Sequence, residues 1–375
     1  MIALAGCAAV PPPPVCPPCA EPEKPKPAAK PLQPAEWSEL PGWENDDHAA
    51  MLELFRAECA TLAKRPLWLA TCESAQEAGD AAAESARAWF EARFRPWALV
   101  NPDGGREGLV TGYYEPLIRG SRVRKPPYET PVFGPPDDLI VVDLSAIYPE
   151  LKHMRLRGRV DGRKLIPFFS RAEWAAEAER RAGAALLWVD DPIDFFFLQI
   201  QGSGQVALDD GGRVRIGYAD QNGHPYRSIG RWLIEQGELE RHQASMQGIK
   251  AWAAANPARL RELLDANPSL VFFRELPAEG SGPPGALGVP LTPGRSIAVD
   301  PRHTPLGAPV WLATTRPDSE EPLARLMLAQ DTGGAIRGPV RADFYWGSGA
   351  EAGSLAGRMK QPGKMWVLLP RHHAP

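Results

Sequence analysis

The sequence predicts an α+β, β-rich protein in which one β-domain is inserted into another. Helical patterns alternate with two blocks of short strands and glycine turns, in the order helices, strands, helices, strands. That order fits an inserted domain better than a repeated βαβ unit. The chain has 375 residues, of which 44% are hydrophobic, so two domains with sizeable cores are possible.

The N-terminal segment Leu4-Ala5-Gly6-Cys7 resembles a bacterial lipobox. Small residues before a cysteine are typical of a signal cleavage site. We therefore expect residues 1–7 to be a signal remnant and Cys7 to carry a lipid, although only six residues, none basic, precede it. Ala8 after Cys7 favours the outer membrane, with the protein facing the periplasm. A chance match is the alternative.

Residues 8–35 form a proline-rich linker interleaved with Lys, Glu and Ala. Such a segment cannot bury a core and favours extended polyproline II, which at about 3.1 Å per residue spans on the order of 85 Å. It is typical of a spacer. Cys16 and Cys19 lie among these prolines, where a redox or metal-binding pair is not expected. Cys59 and Cys72 are either a disulfide, if the compartment is oxidising, or two buried thiols.

The folded part begins with helical spacing of apolar residues. One helix follows the N-cap candidates at 45–47 and another surrounds Trp89; their apolar residues are Met51, Leu54, Phe55 and Leu62, then Ala86, Trp89, Phe90 and Phe94. After Pro102, strands are predicted at Leu109–Tyr114, Leu139–Leu144, Leu186–Val189, Phe195–Ile200, Gln205–Leu208 and Val214–Tyr218. A hairpin turn at 209–212 joins the last two.

Helical patterns return in the middle of the chain, and strands dominate its last part. The helices are predicted at Arg227–Glu235, Gln243–Ala254, Pro257–Asp265 and, later, Ala350–Met359. The last strands are predicted at Ser296–Val299, Pro309–Ala313, Leu326–Ala329, Val340–Trp346 and Met365–Leu368. We therefore expect residues 36–116 and 236–371 to form one domain and 117–235 to form the inserted one.

Composition excludes some functions. The formal net charge of −4 and the pI near 6.0 argue against nucleic acid as the main ligand. The histidines are scattered and none stands at a metal-ligand spacing from the cysteines, so neither a metal nor an organic cofactor is expected. The sequence identifies no protein partner.

Three aspartates near the C-terminus are the candidate chemical groups. Asp300, Asp331 and Asp343 lie at predicted strand ends or beside glycines, and aromatic residues follow Asp343. An aspartate that is partly desolvated there has a raised pKa and can act as an acid. Turn and capping roles are the alternative, as in an Asx-turn at Asp331.

The segment 300–347, with its three aspartates, resembles the corresponding domain of the membrane-bound lytic murein transglycosylase A family. Five further motifs resemble that family in the same order: Thr111-Gly112-Tyr113-Tyr114-Glu115-Pro116, Gln199-Ile200-Gln201-Gly202-Ser203-Gly204, residues 217–223, residues 267–275 and residues 288–293. The resemblance covers roughly residues 100–370.

This resemblance implies a double-psi β-barrel, a second small β-barrel inserted into it, and a groove between them. It also implies a lytic transglycosylase that cleaves peptidoglycan glycan strands between N-acetylmuramic acid and N-acetylglucosamine and leaves a 1,6-anhydro end. Asp343 matches the catalytic acid, which then acts as base, and Asp331 supports it. Asp300 belongs to the substrate site or is structural.

The remaining candidate residues are expected on the groove wall. Tyr113, Tyr114 and Phe273 offer faces for sugar rings, although alternation along the strand predicts that one tyrosine is buried. Thr111, Gln201, Ser203 and Asn222 offer hydrogen-bond partners for hydroxyl and N-acetyl groups.

Two other functions fit the same residues. A peptidoglycan-binding protein without turnover would bind sugar even after loss of Asp343. A water-using muramidase could divide the chemistry between Asp331 and Asp343, and its product would have a reducing end.

Overall fold

The computed structural model describes residues 29–79, 82–277 and 282–373. The predicted lipidation site Cys7 and residues 8–28 of the proline-rich linker lie outside these ranges. No helix within them has the length and apolarity required to cross a membrane.

Helices lie at the start of the described chain, in its middle and before the last strand. Asp47 caps the first of them, because its side chain accepts a hydrogen bond from the Ala50 amide. The α-helices are α1 (His48–Leu62), α2 (Leu69–Ala78), α3 (Ala83–Arg93), α4 (Arg171–Arg180), α5 (Pro192–Gln201), α6 (Ile229–Glu235), α7 (Met246–Ala255), α8 (Leu260–Asp265) and α9 (Gly349–Arg358).

The strands fall into the two predicted blocks, before and after helices α6 to α8. The first block and the two strands that precede it are β1 (Leu32–Pro34), β2 (Phe94–Leu99), β3 (Gly108–Glu115), β4 (Leu117–Ser121), β5 (Thr130–Phe133), β6 (Ile140–Val141), β7 (Arg157–Asp161), β8 (Lys164–Pro167), β9 (Ala185–Val189), β10 (Ser203–Leu208) and β11 (Arg213–Gln221). The second block is β12 (Val271–Leu276), β13 (Ser296–Val299), β14 (Pro309–Thr315), β15 (Pro322–Asp331), β16 (Arg341–Ser348) and β17 (Lys360–Pro370).

The first sheet joins the beginning and the end of the chain. Its eight strands follow the order β1-β2-β17-β14-β15-β13-β16-β3. Strand β17 pairs with β14 and also with β3, so six of these strands form a closed ring. Helices α1 and α3 pack on this sheet through Met51, Phe55 and Phe90, which share one buried cluster with Trp311. The apolar faces predicted for the first helices are therefore core.

The second sheet is formed by the chain between β3 and β13. Its order is β12-β11-β10-β4-β9-β5, and β6, β7 and β8 form a small separate sheet. The hairpin predicted at 209–212 is confirmed, since β10 and β11 pair antiparallel across it. Strand β12 pairs with β11 although it lies beyond residue 235. The predicted boundaries of the inserted domain stay a prediction.

The α+β, β-rich class is confirmed, but the strand predicted at Phe195–Ile200 is wrong. That segment belongs to helix α5, which Asp191 caps through the amides of Ile193 and Asp194. Glycine ends the helix, because Gly202 adopts a left-handed backbone with φ of 81°. Phe195 and Leu198 pack into the second sheet while Phe196 and Phe197 pack against helices. A helix buried on opposite sides is apolar all round and shows no periodicity.

Cys59 and Cys72 form a disulfide that joins helices α1 and α2. Both residues are buried in the core beneath the first sheet. Of the two alternatives left open by the sequence, the structure contains the disulfide.

Candidate active site

A cavity of about 730 Å³ lies between the two sheets. Thr111, Tyr113 and Asp343 of the first sheet line it from one side, and Ser203 and Tyr218 of the second sheet line it from the other. Asp331 at the end of β15 and Asp343 on β16 lie at the floor of the cavity. The two aspartates are close in the sheet because β13 pairs with both of these strands.

Asp343 lies in the middle of strand β16, between β13 and β3. Its neighbours Ala342 and Phe344 are buried in the core of the first sheet, so strand alternation turns Asp343 to the opposite face. Thr111 stands directly across the parallel pair β3–β16. Its hydroxyl donates to Asp343 Oδ1 at 2.5 Å and accepts from Arg341 Nη2 at 2.9 Å. The side chain of Asp343 is therefore held by its own sheet.

The position of Asp343 raises the pKa of its carboxyl group to about 6. Burial is the main cause, since it disfavours the charged form, and the charge of Asp331 adds to it. The hydrogen bond from Thr111 and the charge of Arg341 act in the opposite direction. A carboxyl group with such a pKa can hold a proton and release it near neutral pH.

Asp331 has both carboxyl oxygens occupied by donors from the protein. Oδ1 accepts from the amides of Ala286 and Thr332, at 3.0 and 2.8 Å, and Oδ2 accepts from the Tyr113 hydroxyl at 3.1 Å. Burial raises the pKa of Asp331, although these hydrogen bonds oppose the shift. Asp331 is thus anchored, whereas the described residues leave Asp343 Oδ2 without a protein donor.

Four of the predicted wall residues lie on the cavity: Thr111, Tyr113, Gln201 and Ser203. Tyr113 is nevertheless mostly buried and packs on Tyr345, with 5.2 Å between ring centroids. Gln201 has its carbonyl oxygen fixed by the Tyr114 amide at 3.1 Å, which leaves its NH₂ group for other partners.

Tyr114 and Phe273 do not line this cavity, so nothing in its geometry supports the contact with sugar rings that was predicted for them. Alternation places Tyr114 opposite Tyr113, where its hydroxyl meets the sulfur of Met246 and its ring packs on Gly353 of α9. Both tyrosines are buried, not one. Phe273 has no exposed surface and packs on Phe195 in the core of the second sheet.

Asn222 and Asp300 are structural residues. Asn222 is fully buried; its amide donates to two backbone carbonyls and its oxygen accepts from the Leu270 amide. Asp300 accepts from the Arg302 guanidinium and the Gly338 amide. Burial alone would raise the pKa of Asp300, but these hydrogen bonds hold it below its usual range. Neither residue lines the cavity, and these contacts fit the structural alternative left open for Asp300; the predicted substrate-binding role of Asn222 stays a prediction.

Sequence reasoning missed the cations of the cavity wall. Arg341, Arg155, Arg171 and Arg274 all line it, together with Tyr218. The signal available for Arg341 was its place two residues before Asp343 on the same strand, which puts both on one face. No three His, Cys, Asp or Glu side chains of the described ranges are grouped so that they could hold a metal ion.

Two family models match the chain. The MltA specific insert domain matches residues 109–274, and the 3D domain matches residues 295–369. The first match begins within β3 and ends within β12, and the second contains Asp331 and Asp343.

Similar proteins carry consistent names. Membrane-bound lytic murein transglycosylase A of Escherichia coli K12 is 33% identical over 284 residues, which are 72% of this chain and 68% of that protein. The crystal structure of MltA from Neisseria gonorrhoeae, monoclinic form, is 40% identical with a TM-score of 0.79, and the match covers 92% and 94% of the two chains. Escherichia coli MltA with bound chitohexaose is 29% identical with a TM-score of 0.66, over 88% and 91%.

Proposed function

We propose, because this chain belongs to the membrane-bound lytic murein transglycosylase A family, that it cleaves peptidoglycan glycan strands without water. The bond broken is the β-1,4 bond between N-acetylmuramic acid and N-acetylglucosamine. The product is a 1,6-anhydro-N-acetylmuramoyl end. Binding of glycan in the cavity is supported by the Escherichia coli relative, whose structure contains chitohexaose.

The observation that carries this proposal is that, among the described residues lining the cavity, Asp343 is the one carboxyl group with an oxygen that no protein donor holds. Asp343 faces the cavity with a raised pKa, while both oxygens of Asp331 are held by protein donors. Ordinary glycosidases use two carboxyl groups, one as acid and one to activate water or attack the sugar. One available carboxyl group fits a reaction in which the substrate supplies its own nucleophile.

Asp343 would serve both halves of that reaction. It first donates its proton to the glycosidic oxygen as the bond from C1 to that oxygen breaks. The resulting carboxylate then accepts the proton of the muramic acid C6 hydroxyl, whose oxygen bonds to C1. The proton count is balanced and Asp343 ends protonated. The nucleophile is already tethered to the reacting sugar, which favours this route over attack by water.

The neighbours of Asp343 would tune the two steps. The Thr111 hydroxyl and the Arg341 charge stabilise the carboxylate form of Asp343, which exists after the first step and before the second. Tyr113 orients Asp331, whose charge keeps the proton on Asp343 before the first step. Gln201 and Ser203 are placed on the wall where they can bind hydroxyl and N-acetyl groups.

We also infer a finer architecture. The closed ring formed by β3, β13, β14, β15, β16 and β17 is the double-psi β-barrel, and the second sheet is the inserted small β-barrel. Support comes from the pairing of β17 with both β14 and β3. The substrate groove then lies between the two barrels.

The reaction class is tested by the mass of the product. We expect purified glycan strands digested with this enzyme to gain anhydro ends, each lighter by one water than a hydrolysed end. Mass spectrometry of the digest measures this difference directly. Hydrolysed ends would instead support the water-using muramidase, and uncut strands that remain bound would support the non-catalytic binding protein.

The pKa of Asp343 predicts the pH dependence. The first step needs the protonated form of Asp343, whose pKa is about 6. Below that pH most molecules carry the proton, and above it the protonated fraction falls about tenfold for each pH unit. We therefore expect kcat/KM to fall as the pH rises through that value. Arg341→Gln removes a positive charge that lowers the pKa of Asp343. In this variant the fall in kcat/KM should therefore occur at higher pH. A profile of kcat/KM that is flat across the range from about pH 5 to 8 would contradict the assignment.

We further propose that Cys7 carries a lipid that holds the enzyme at the outer membrane, facing the periplasm. The family name describes membrane-bound relatives, and the lipobox-like Leu4-Ala5-Gly6-Cys7 supports the mode of attachment. We expect Cys7→Ala to move the protein from the membrane fraction to the soluble periplasmic fraction. If unaltered protein with an intact N-terminus is already soluble in cells, the proposal is wrong.

A further inference from the structure

The wall of the cavity carries an excess of positive charge. Four guanidinium groups line it, from Arg155, Arg171, Arg274 and Arg341, against the two carboxyl groups of Asp331 and Asp343. Among the described residues that line the cavity, two positive charges remain even with both aspartates ionised, although the chain as a whole has a formal net charge of −4. The cavity is therefore electrostatically unlike the rest of the protein, which favours an anionic ligand.

Two of these arginines are not neutralised by nearby acids. Arg155 and Arg274 form no ion pair with a carboxylate of the described residues; the Arg155 guanidinium lies over the Tyr218 ring, 5.8 Å from its centroid. Glu275, which follows Arg274 in the sequence, and Asp220, two residues after Tyr218, have other partners. Glu275 pairs with Arg122, and Asp220 pairs with Arg157. The two guanidinium groups are exposed and available at the cavity.

Arg171 is a partly buried cation whose hydrogen-bond acceptors are neutral. Its guanidinium donates to the carbonyl oxygens of Asn267 and Ser269 and to the side-chain oxygen of Gln199. Burial lowers its pKa to about 10. Partial burial of a charge whose hydrogen-bond acceptors are neutral is costly, and an anion in the cavity would offset part of that cost.

We propose, resting on the proposed function, that Arg155, Arg171 and Arg274 bind carboxylates carried by the muramic acid residues of the glycan strand. N-acetylglucosamine has no charge. Muramic acid bears a lactyl group, which ends in a free carboxylate on denuded strands or carries a peptide with its own carboxylates. Because the two sugars alternate, a cationic wall at a fixed distance from Asp343 selects the register in which muramic acid supplies the C6 hydroxyl.

Binding measurements on the Asp343→Asn enzyme test this, because its probes are not consumed. Three probes of equal sugar length are compared: denuded glycan, peptide-bearing glycan and the uncharged chitohexaose. We expect Arg155→Gln and Arg274→Gln each to weaken binding of the anionic probes about two- to fivefold, with the effect fading at high salt. Chitohexaose affinity should change by less than twofold. Arg231→Gln, at an exposed arginine of α6 outside the cavity, is the matched control.

The outcomes separate this proposal from the proposed function. A loss confined to denuded strands identifies the lactyl carboxylate as the ligand, and one confined to peptide-bearing strands identifies the peptide; both support the proposal. Equal losses for charged and uncharged probes, or none, overturn it. The mass of the product from the unaltered enzyme tests the reaction independently, since it does not depend on which strands bind more tightly.

Discussion

Replacing Asp343 by Asn is expected to lower turnover of glycan strands by about 10²–10⁴-fold or more while glycan binding persists. The amide keeps the size of the side chain and its contact with Thr111, but it has no proton to donate to the glycosidic oxygen. The same group would also be absent as base in the second step, so the loss should lie at the upper end. Turnover and binding are measured on the same purified strands.

Asp331→Asn is the informative comparison for that variant. Its oxygens position Tyr113 and accept two backbone amides, so this change should act through orientation and through the pKa of Asp343. Without the charge of Asp331, the pKa of Asp343 should fall and turnover should decrease less than in Asp343→Asn. Near-normal turnover of Asp343→Asn, with unchanged thermal stability, would remove Asp343 from its assigned role.

Replacing Arg215 by Met is expected to reduce the free energy of unfolding by about 3–5 kcal/mol. Arg215 on β11 donates to Glu115 on β3 at 2.7 Å, and both side chains are buried. The pair connects the first sheet to the second. Removing the cation leaves a carboxylate in the interior with only the Gln205 amide, at 2.7 Å, as a described donor. Denaturant unfolding measures the loss.

The double variant Glu115→Gln with Arg215→Met is the control for this prediction. A neutral amide avoids the buried charge and can still accept from Gln205, so most of the stability should return. The difference between the single and double variants measures the cost of the uncompensated charge. A loss below about 1 kcal/mol in Arg215→Met would contradict the prediction and would mean that water reaches Glu115.

The sequence predicted the elements that carry the candidate chemistry more accurately than their surroundings. The strands containing Thr111 and Asp343 were predicted to within two residues of their observed bounds, and the alternation around Asp343 gives the face on which its side chain lies. Local pattern was sufficient there because each strand has one face in the core. The pairing that brings Thr111 to Asp343 is tertiary, and no local sequence pattern contains it.

The strand predicted at Phe195–Ile200 is wrong because local pattern cannot distinguish a helix buried on all sides from a buried strand. The run at Phe195–Ile200 is apolar on all sides, so its period is invisible; Pro192 after Asp191 was the available helix signal. Phe273 and Asn222 belong to family-like motifs, but they pack and hydrogen-bond inside the second sheet. The arginines of the cavity wall come from separate elements and share no sequence pattern.

The closed ring of the first sheet also sets the order in which activity can arise during synthesis. The contact between Thr111 and Asp343 spans 232 residues, and the ring is completed only by β17, the last strand of the described ranges. A nascent chain that has not reached these strands contains the second sheet but neither the acid nor the closed ring. Closure over such a separation is entropically costly and slow. A nascent chain without β17 therefore lacks the closed ring on which the proposed activity depends.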